Sequence, residues 1–214
     1  MHIVWDWNGT LFDDLELVVR AVNQGLARFG ATPIDLDGYR SHYTRPVKLF
    51  YDRLLGRPVT DQEWLVIDEV FHDAYRSALD QASLTADAAE ALKTVSHGGH
   101  TQSLLSMFPH PDLIPLVDRM GIASFFDRID GLADGSPGDL KASYLERHLR
   151  LLIGGDEVGS VVVIGDTPDD AIAASHVGAR PILYDGGSHH RQDLESTGAE
   201  VASSLVAAVR MALG

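Results

Sequence analysis

The chain has 214 residues, of which 45% are apolar and 22% charged, and its formal net charge is −14. That length suits one large domain or a core carrying an insertion, and the acidic balance offers no basic field to a nucleic-acid backbone while it would attract a divalent cation. Cysteine is absent, which removes disulfides, thiolate nucleophiles and cysteine-ligated metal centres, and no apolar run reaches the length of a membrane span.

MHIVW opens a strand at once and leaves no room for a signal peptide, so a cytoplasmic location is expected. The stretch IVWDWNGTLFDD, residues 3–14, then supports two readings. Apolar and polar residues alternate on either side of Asn8-Gly9, as in a hairpin closed by a type I′ turn. Equally, Asp6 is a carboxylate delivered to the end of a buried strand and followed by a glycine-bearing loop. These residues alone leave both open.

Leu15, Val18, Val22, Leu26 and Phe29 recur at helical spacing, with Gly30 as a stop. After a proline-containing break (ATPIDLDG), Val47, Phe50, Tyr51 and Leu54 predict another helix. Thr60-Asp61-Gln62-Glu63 is a capping box, opening a helix whose Trp64, Ile67, Phe71 and Tyr75 share a face. Residues 14–83 therefore read as helix after helix with no strand. Beyond them the pattern alternates. Helices at 86–95, 111–120, 140–152 and 168–177 are interleaved with strands at 101–106, around Ile129, at 160–165 and at 181–184, and a last helix closes the chain. Such alternation predicts a parallel sheet with helices on both faces, and the unbroken run VVVI suits a central strand buried on both sides. The expected organisation is an α/β core formed by residues 1–13 and 84–214, interrupted after its first strand by an all-helical domain, 14–83.

In open parallel sheets the ligand sits at the carboxyl ends of the strands. This sequence places Asp6, Ser106 and the run Gly165-Asp166-Thr167-Pro168-Asp169-Asp170 there, and Lys141 opens the helix between the last two. Each has an ordinary reading. A Ser or Asp after a strand commonly caps the next helix, Asp169 and Asp170 would favour a helix dipole, and Lys141 would be a solvated charge. Their joint order is harder to assign to chance.

Asp6-x-Asn8-Gly9-Thr10, then Ser106, then Lys141, then Gly165-Asp166-x-x-x-Asp170, resembles the haloacid dehalogenase superfamily of aspartate-nucleophile hydrolases, in its phosphoglycolate-phosphatase-like branch. The resemblance spans the chain, since the helical block 14–83 lies where that branch carries its cap and the segment GDTPDDAIAASHVGA is similar to its fourth motif. It implies a Rossmann-like core with a helical cap, Mg²⁺ as cofactor, and a small phosphorylated metabolite as partner rather than nucleic acid or membrane, in a monomer or homodimer. Carried over residue by residue, Asp6 would be nucleophile and metal ligand, Asp166 the second side-chain ligand and the Asn8 backbone carbonyl a third. Asp170 would order the metal's outer shell or pair with Lys141. Ser106, with Met107 beside it, would bind the phosphoryl group, Lys141 would offset its charge, and Gly9 and Thr10 would shape the loop beneath it.

One departure matters. The family's phosphatases carry an acid/base aspartate where this chain has Asn8, and an amide neither donates nor accepts a proton in that role at neutral pH. The expectation is a phosphatase that is slow, or selective for good leaving groups, unless a cap residue such as His42, Tyr43 or His72 supplies the proton. A phosphonate-cleaving enzyme, which would need Lys48 as its cap lysine, and a catalytically impaired ligand-binding protein are the alternatives. Arg45 and Lys48, in a basic stretch of the cap, are candidates for recognising the leaving group. There is no G-x-G-x-x-G after the first strand and no G-x-S-x-G, and His97, His100, His189 and His190 lack the ligand pattern of a zinc site.

Overall fold

The computed structural model describes residues 1–132, 140–153 and 160–214, the side chain of Ile153 excepted. Its strands are β1 (His2–Trp5), β2 (Phe12–Asp13), β3 (Ser83–Leu84), β4 (Thr101–Pro109), β5 (Ile129–Leu132), β6 (Val161–Gly165), β7 (Arg180–Tyr184) and β8 (Glu200–Ala202). Its helices are α1 (Leu15–Ala27), α2 (Leu36–His42), α3 (Val47–Leu55), α4 (Asp61–Ala78), α5 (Ala88–His97), α6 (His110–Arg119), α7 (Lys141–Ile153), α8 (Pro168–Val177), α9 (Arg191–Glu195) and α10 (Leu205–Leu213). The chain forms two units, one of residues 1–12, 84–187 and 191–214, the other of residues 13–83 with 188–190.

The first unit is the α/β architecture the alternation predicts. Six strands form one sheet in the order β5-β4-β1-β6-β7-β8, and every pairing is parallel. Relabelled by their succession in this sheet, they run 3-2-1-4-5-6, the doubly wound order, whose switch point lies between β1 and β6. Both of these strands are buried at every residue, as apolar runs without alternation require. On one face α7 and α8 lay Ala142, Leu145, Leu149, Ala173 and Ala174 against Val4, Leu105, Val161 and Val163. On the other, Gln102 ties β4 to α5, its amide donating to the Leu92 carbonyl at 3.0 Å and to Ser96 Oγ at 2.9 Å.

The second unit is helical. The core of α1, α2, α3 and α4 gathers Val22, Leu26, Tyr39, Phe50, Tyr51 and Ile67. Asn23 replaces missing backbone partners at Ile34, accepting from its amide and donating to its carbonyl, both at 2.8 Å. The capping box at Thr60 and Glu63 forms as the sequence predicts. The chain passes between the units within the short strands β2 and β3.

Three local expectations change. Asn8-Gly9 does not make a type I′ turn, because that turn needs positive φ at both central residues and here only Gly9 has it, at 70°. Instead the Trp7 carbonyl accepts from the amides of both Thr10 (3.1 Å) and Phe12 (2.9 Å), making a wider loop. The break at 31–38 contains the start of α2, whose N-cap Asp35 accepts from Gly38 N at 2.8 Å; a helix this short has too little periodicity to read. Finally β8, three residues long, is below the length at which a pattern can be seen. Among the described residues, no helix is long and apolar enough to cross a membrane.

Candidate active site

β1 and β6 flank the switch point, and each delivers an aspartate from its carboxyl end. Asp6 follows β1, its amide donating to the Ile164 carbonyl at 2.9 Å so that the ladder runs one residue past the strand. Asp166 follows β6. Asp170 lies on the first turn of α8, held there by a second capping box. Thr167 Oγ1 accepts from Asp170 N at 3.3 Å, while Asp170 Oδ2 accepts from Thr167 N at 3.0 Å and Oγ1 at 2.6 Å. Its neighbour Asp169 is exposed, so only one of the two carboxylates that follow Pro168 turns inward.

Asp6, Asp166 and Asp170 are all buried, and each offers a carboxylate oxygen within 4.8 Å of the others. Thr10 Oγ1 lies 3.3 Å from both Asp6 Oδ2 and Asp166 Oδ1, so its single proton bridges them. Lys141, at the start of α7, is ion-paired to Asp6 and to Asp170. Burial pushes the Asp6 carboxyl well above its ordinary pKa, Asp170 and Asp166 push it further, and Lys141 opposes them. For Lys141 burial works against the charged form, but Asp170 and Asp6 outweigh it and hold the ammonium above the usual lysine value. One lysine cannot balance three carboxylates, and the excess negative charge is buried.

That deficit is the test of whether a metal ion fits. The donor set is all oxygen, the preference of hard cations such as Mg²⁺ and Ca²⁺, and a cation is the missing charge. Glycines crowd the cluster. A β-carbon on Gly9 would come within 2.6 Å of Asp166 Oδ2, and one on Gly165 or Gly187 would overlap the side chains of Asp170 or Asp166 respectively. The residues present fit a divalent cation.

The other expected site residues fall as follows. Ser106 is buried on β4, where the register with β5 shifts between Leu105 and Pro109, and its Oγ accepts from Phe108 N at 3.0 Å. Trp5 pairs with Leu104, which brings Ser106 to the same sheet edge as Asp6. Asn8 and Met107 are half-buried in the loop after β1 and beside Ser106. Arg45 belongs to the helical unit and is exposed, and Lys48 there is engaged with Asp61 at 2.6 Å. Gly187 is the residue the sequence reading passed over. Its signal in the sequence is the Gly186-Gly187 pair just beyond β7, at a fourth strand end.

The doubly wound sheet thus carries an acidic cluster at its switch point, with a half-buried lysine paired to two of its members. The chain belongs to the haloacid dehalogenase-like hydrolase family, whose model matches residues 1–178. It is similar to the phosphoglycolate phosphatase of Pseudomonas fluorescens, at 24% identity over 97% of this chain and 78% of that one. It is likewise similar to the phosphoglycolate phosphatase of Vibrio parahaemolyticus, at 23% identity over 95% of this chain and 92% of the other. Its fold is that of a haloacid dehalogenase-like family hydrolase from Streptococcus pneumoniae, with a TM-score of 0.83 at 17% identity, covering 98% of this chain and 97% of that one.

Proposed function

We propose that this hydrolase is a metal-dependent phosphatase of a small phosphorylated metabolite, with Asp6 as its nucleophile. The observation that carries the reading is the buried Asp6–Asp166–Asp170 cluster with Lys141 against two of its members. An Asp6 oxygen attacks phosphorus as the bond to the leaving oxygen breaks. The aspartyl-phosphate so formed is cleaved by water to inorganic phosphate, which restores Asp6. A divalent cation, Mg²⁺ by the hardness of the donors, would be held by Asp6, Asp166 and the Asn8 carbonyl, and supplies charge neutralisation between carboxylate and phosphate. Asp170 keeps Lys141 in place, and Lys141 neutralises the charge that builds as Asp6 meets the phosphoryl oxygens. Ser106 and the loop of Gly9 and Thr10 hold that group in line, with Met107 beside it.

Asn8 leaves the departing oxygen without a proton donor at that position, so acyl and aryl phosphates should react faster than alkyl esters. The relatives named as phosphoglycolate phosphatases make 2-phosphoglycolate the alkyl ester to test. The helical unit serves in this reading as the cap, with Arg45 recognising the leaving group. The alternative, phosphonate cleavage, would call on Lys48, which here pairs with the exposed Asp61 at 2.6 Å. Phosphate release from acetyl phosphate, p-nitrophenyl phosphate and 2-phosphoglycolate, with Mg²⁺ or with EDTA, tests the reading. Release should need the metal and vanish in Asp6→Asn; metal-independent release, or an active Asp6→Asn, would overturn it.

A further inference from the structure

His148 is fully buried on α7, and phosphoryl transfer as described does not use it. Its Nδ1 lies 2.7 Å from Asp130 Oδ2 on β5, and its Nε2 lies 2.8 Å from Ser103 Oγ on β4. Ser103 Oγ is also 2.8 Å from His2 Nε2 on β1, and His2 Nδ1 is 2.8 Å from Thr101 Oγ1. Arg128 Nε donates to the same Asp130 oxygen at 2.5 Å. Burial acts to raise the Asp130 pKa, but the hydrogen bonds from His148 and Arg128 outweigh it and hold the carboxyl at about 2. Asp130 therefore only accepts, so His148 Nδ1 carries a hydrogen. His148 Nε2 and His2 Nε2 thus share the Ser103 hydroxyl, and His2 Nδ1 pairs with the Thr101 hydroxyl. Both nitrogens of both rings have a partner, and a polar chain so satisfied, buried at His2, Ser103 and His148, specifies one arrangement.

The position of this chain relative to Lys141 gives it a role. Lys141 and His148 are two helical turns apart, roughly 10 Å along the axis, and project from the same side of α7. On the sheet Val4 is in register with Ser103, and Asp6 lies two residues beyond Val4 on the same face. The lysine thus meets the carboxyl edge of the sheet while the histidine meets its interior. The remaining hold on α7 comes from Ala142, Leu145 and Leu149, apolar contacts that have no direction of their own. Besides Lys141 itself, which bonds Asp6 at the sheet's carboxyl edge, His148 is the described side chain of α7 that hydrogen-bonds to the sheet.

We propose that His148 is a positioning residue for Lys141, fixing the rotation and height of α7 on β4 and β5 so that the ammonium reaches Asp6 and Asp170. The proposal rests on the role given to Lys141 under the proposed function. Asn at 148 can keep the bond to Asp130 and Gln the bond to Ser103, whereas Leu keeps neither. With p-nitrophenyl phosphate and Mg²⁺, His148→Leu should lower kcat about 10-fold with little change in KM, and His148→Asn and His148→Gln should each recover part of it. In a Lys141→Ala background, His148→Leu should cause no further loss, because the two act as one unit. Independently of activity, amide hydrogen exchange in the first turns of α7 should quicken in His148→Leu while α8 stays as in the wild type. Multiplicative losses in the double variant, or unchanged exchange in α7, would overturn the proposal. Full activity in Lys141→Ala would instead sink the lysine's role in the proposed function, and the exchange measurement would still decide whether His148 anchors the helix.

Discussion

Gly9 and Asp166 approach so closely that a β-carbon on residue 9 would stand 2.6 Å from the Asp166 carboxylate oxygen. The backbone at Gly9 is also left-handed, with φ of 70°. Gly9→Ala should therefore lose about 1–2 kcal/mol to backbone strain and in addition displace the carboxylate. Gly30 separates the two effects, since its φ is 67° with nothing near the added carbon. Thermal denaturation should show a similar loss for both alanine variants or a larger one at Gly9, while phosphate release should fall at least about 10-fold in Gly9→Ala alone.

Asn8→Asp should restore a proton donor beside the nucleophile. Hydrolysis of 2-phosphoglycolate should rise by about 10²-fold or more, within the range assigned to a general acid, and that of acetyl phosphate much less. Comparing kcat for the two substrates in both proteins checks this; equal gains would show that protonation of the leaving group is not what Asn8 lacks.

A divalent cation should stabilise the protein, because it relieves the repulsion among Asp6, Asp166 and Asp170. At 100 times the dissociation constant, linkage gives about 2.7 kcal/mol. Scanning calorimetry with Mg²⁺ against EDTA should show the rise in Tm. In Asp166→Asn the rise should shrink or disappear, although the variant without metal should be no less stable than the wild type.

Acid should weaken the fold through His2. Burial and the nearby His148 hold its pKa at about 4, against the opposing pull of Asp127, whereas the unfolded chain has about 6.5. As pH falls from about 6.5 to about 4 the unfolded state takes up a proton that the folded state refuses, so stability is lost across that window, on the order of 3 kcal/mol in all. Asp130, held at about 2, adds a further loss as pH falls from about 4 toward 2. Urea denaturation at a series of pH values should show both; a flat profile from pH 7 to 4 would contradict the His2 contribution.

The sequence by itself determined the α/β core, the long helices and the strand ends that carry Asp6, Ser106 and Asp166, because burial on both faces and helical periodicity leave direct traces in residue order. It carried the short pieces poorly: α2 and β8 are too brief to show a period, and the loop at Asn8-Gly9 follows backbone hydrogen bonds to Trp7 rather than its turn-like composition. Tertiary structure alone decided which of Asp169 and Asp170 turns inward, that Lys141 spans Asp6 and Asp170, and that Gly187 lies against Asp166. It also joined His2, Ser103, Asp130 and His148 into one hydrogen-bonded chain. Those relations lie between elements far apart in the chain, and local propensity has no term for a distance that only the sheet's strand order creates.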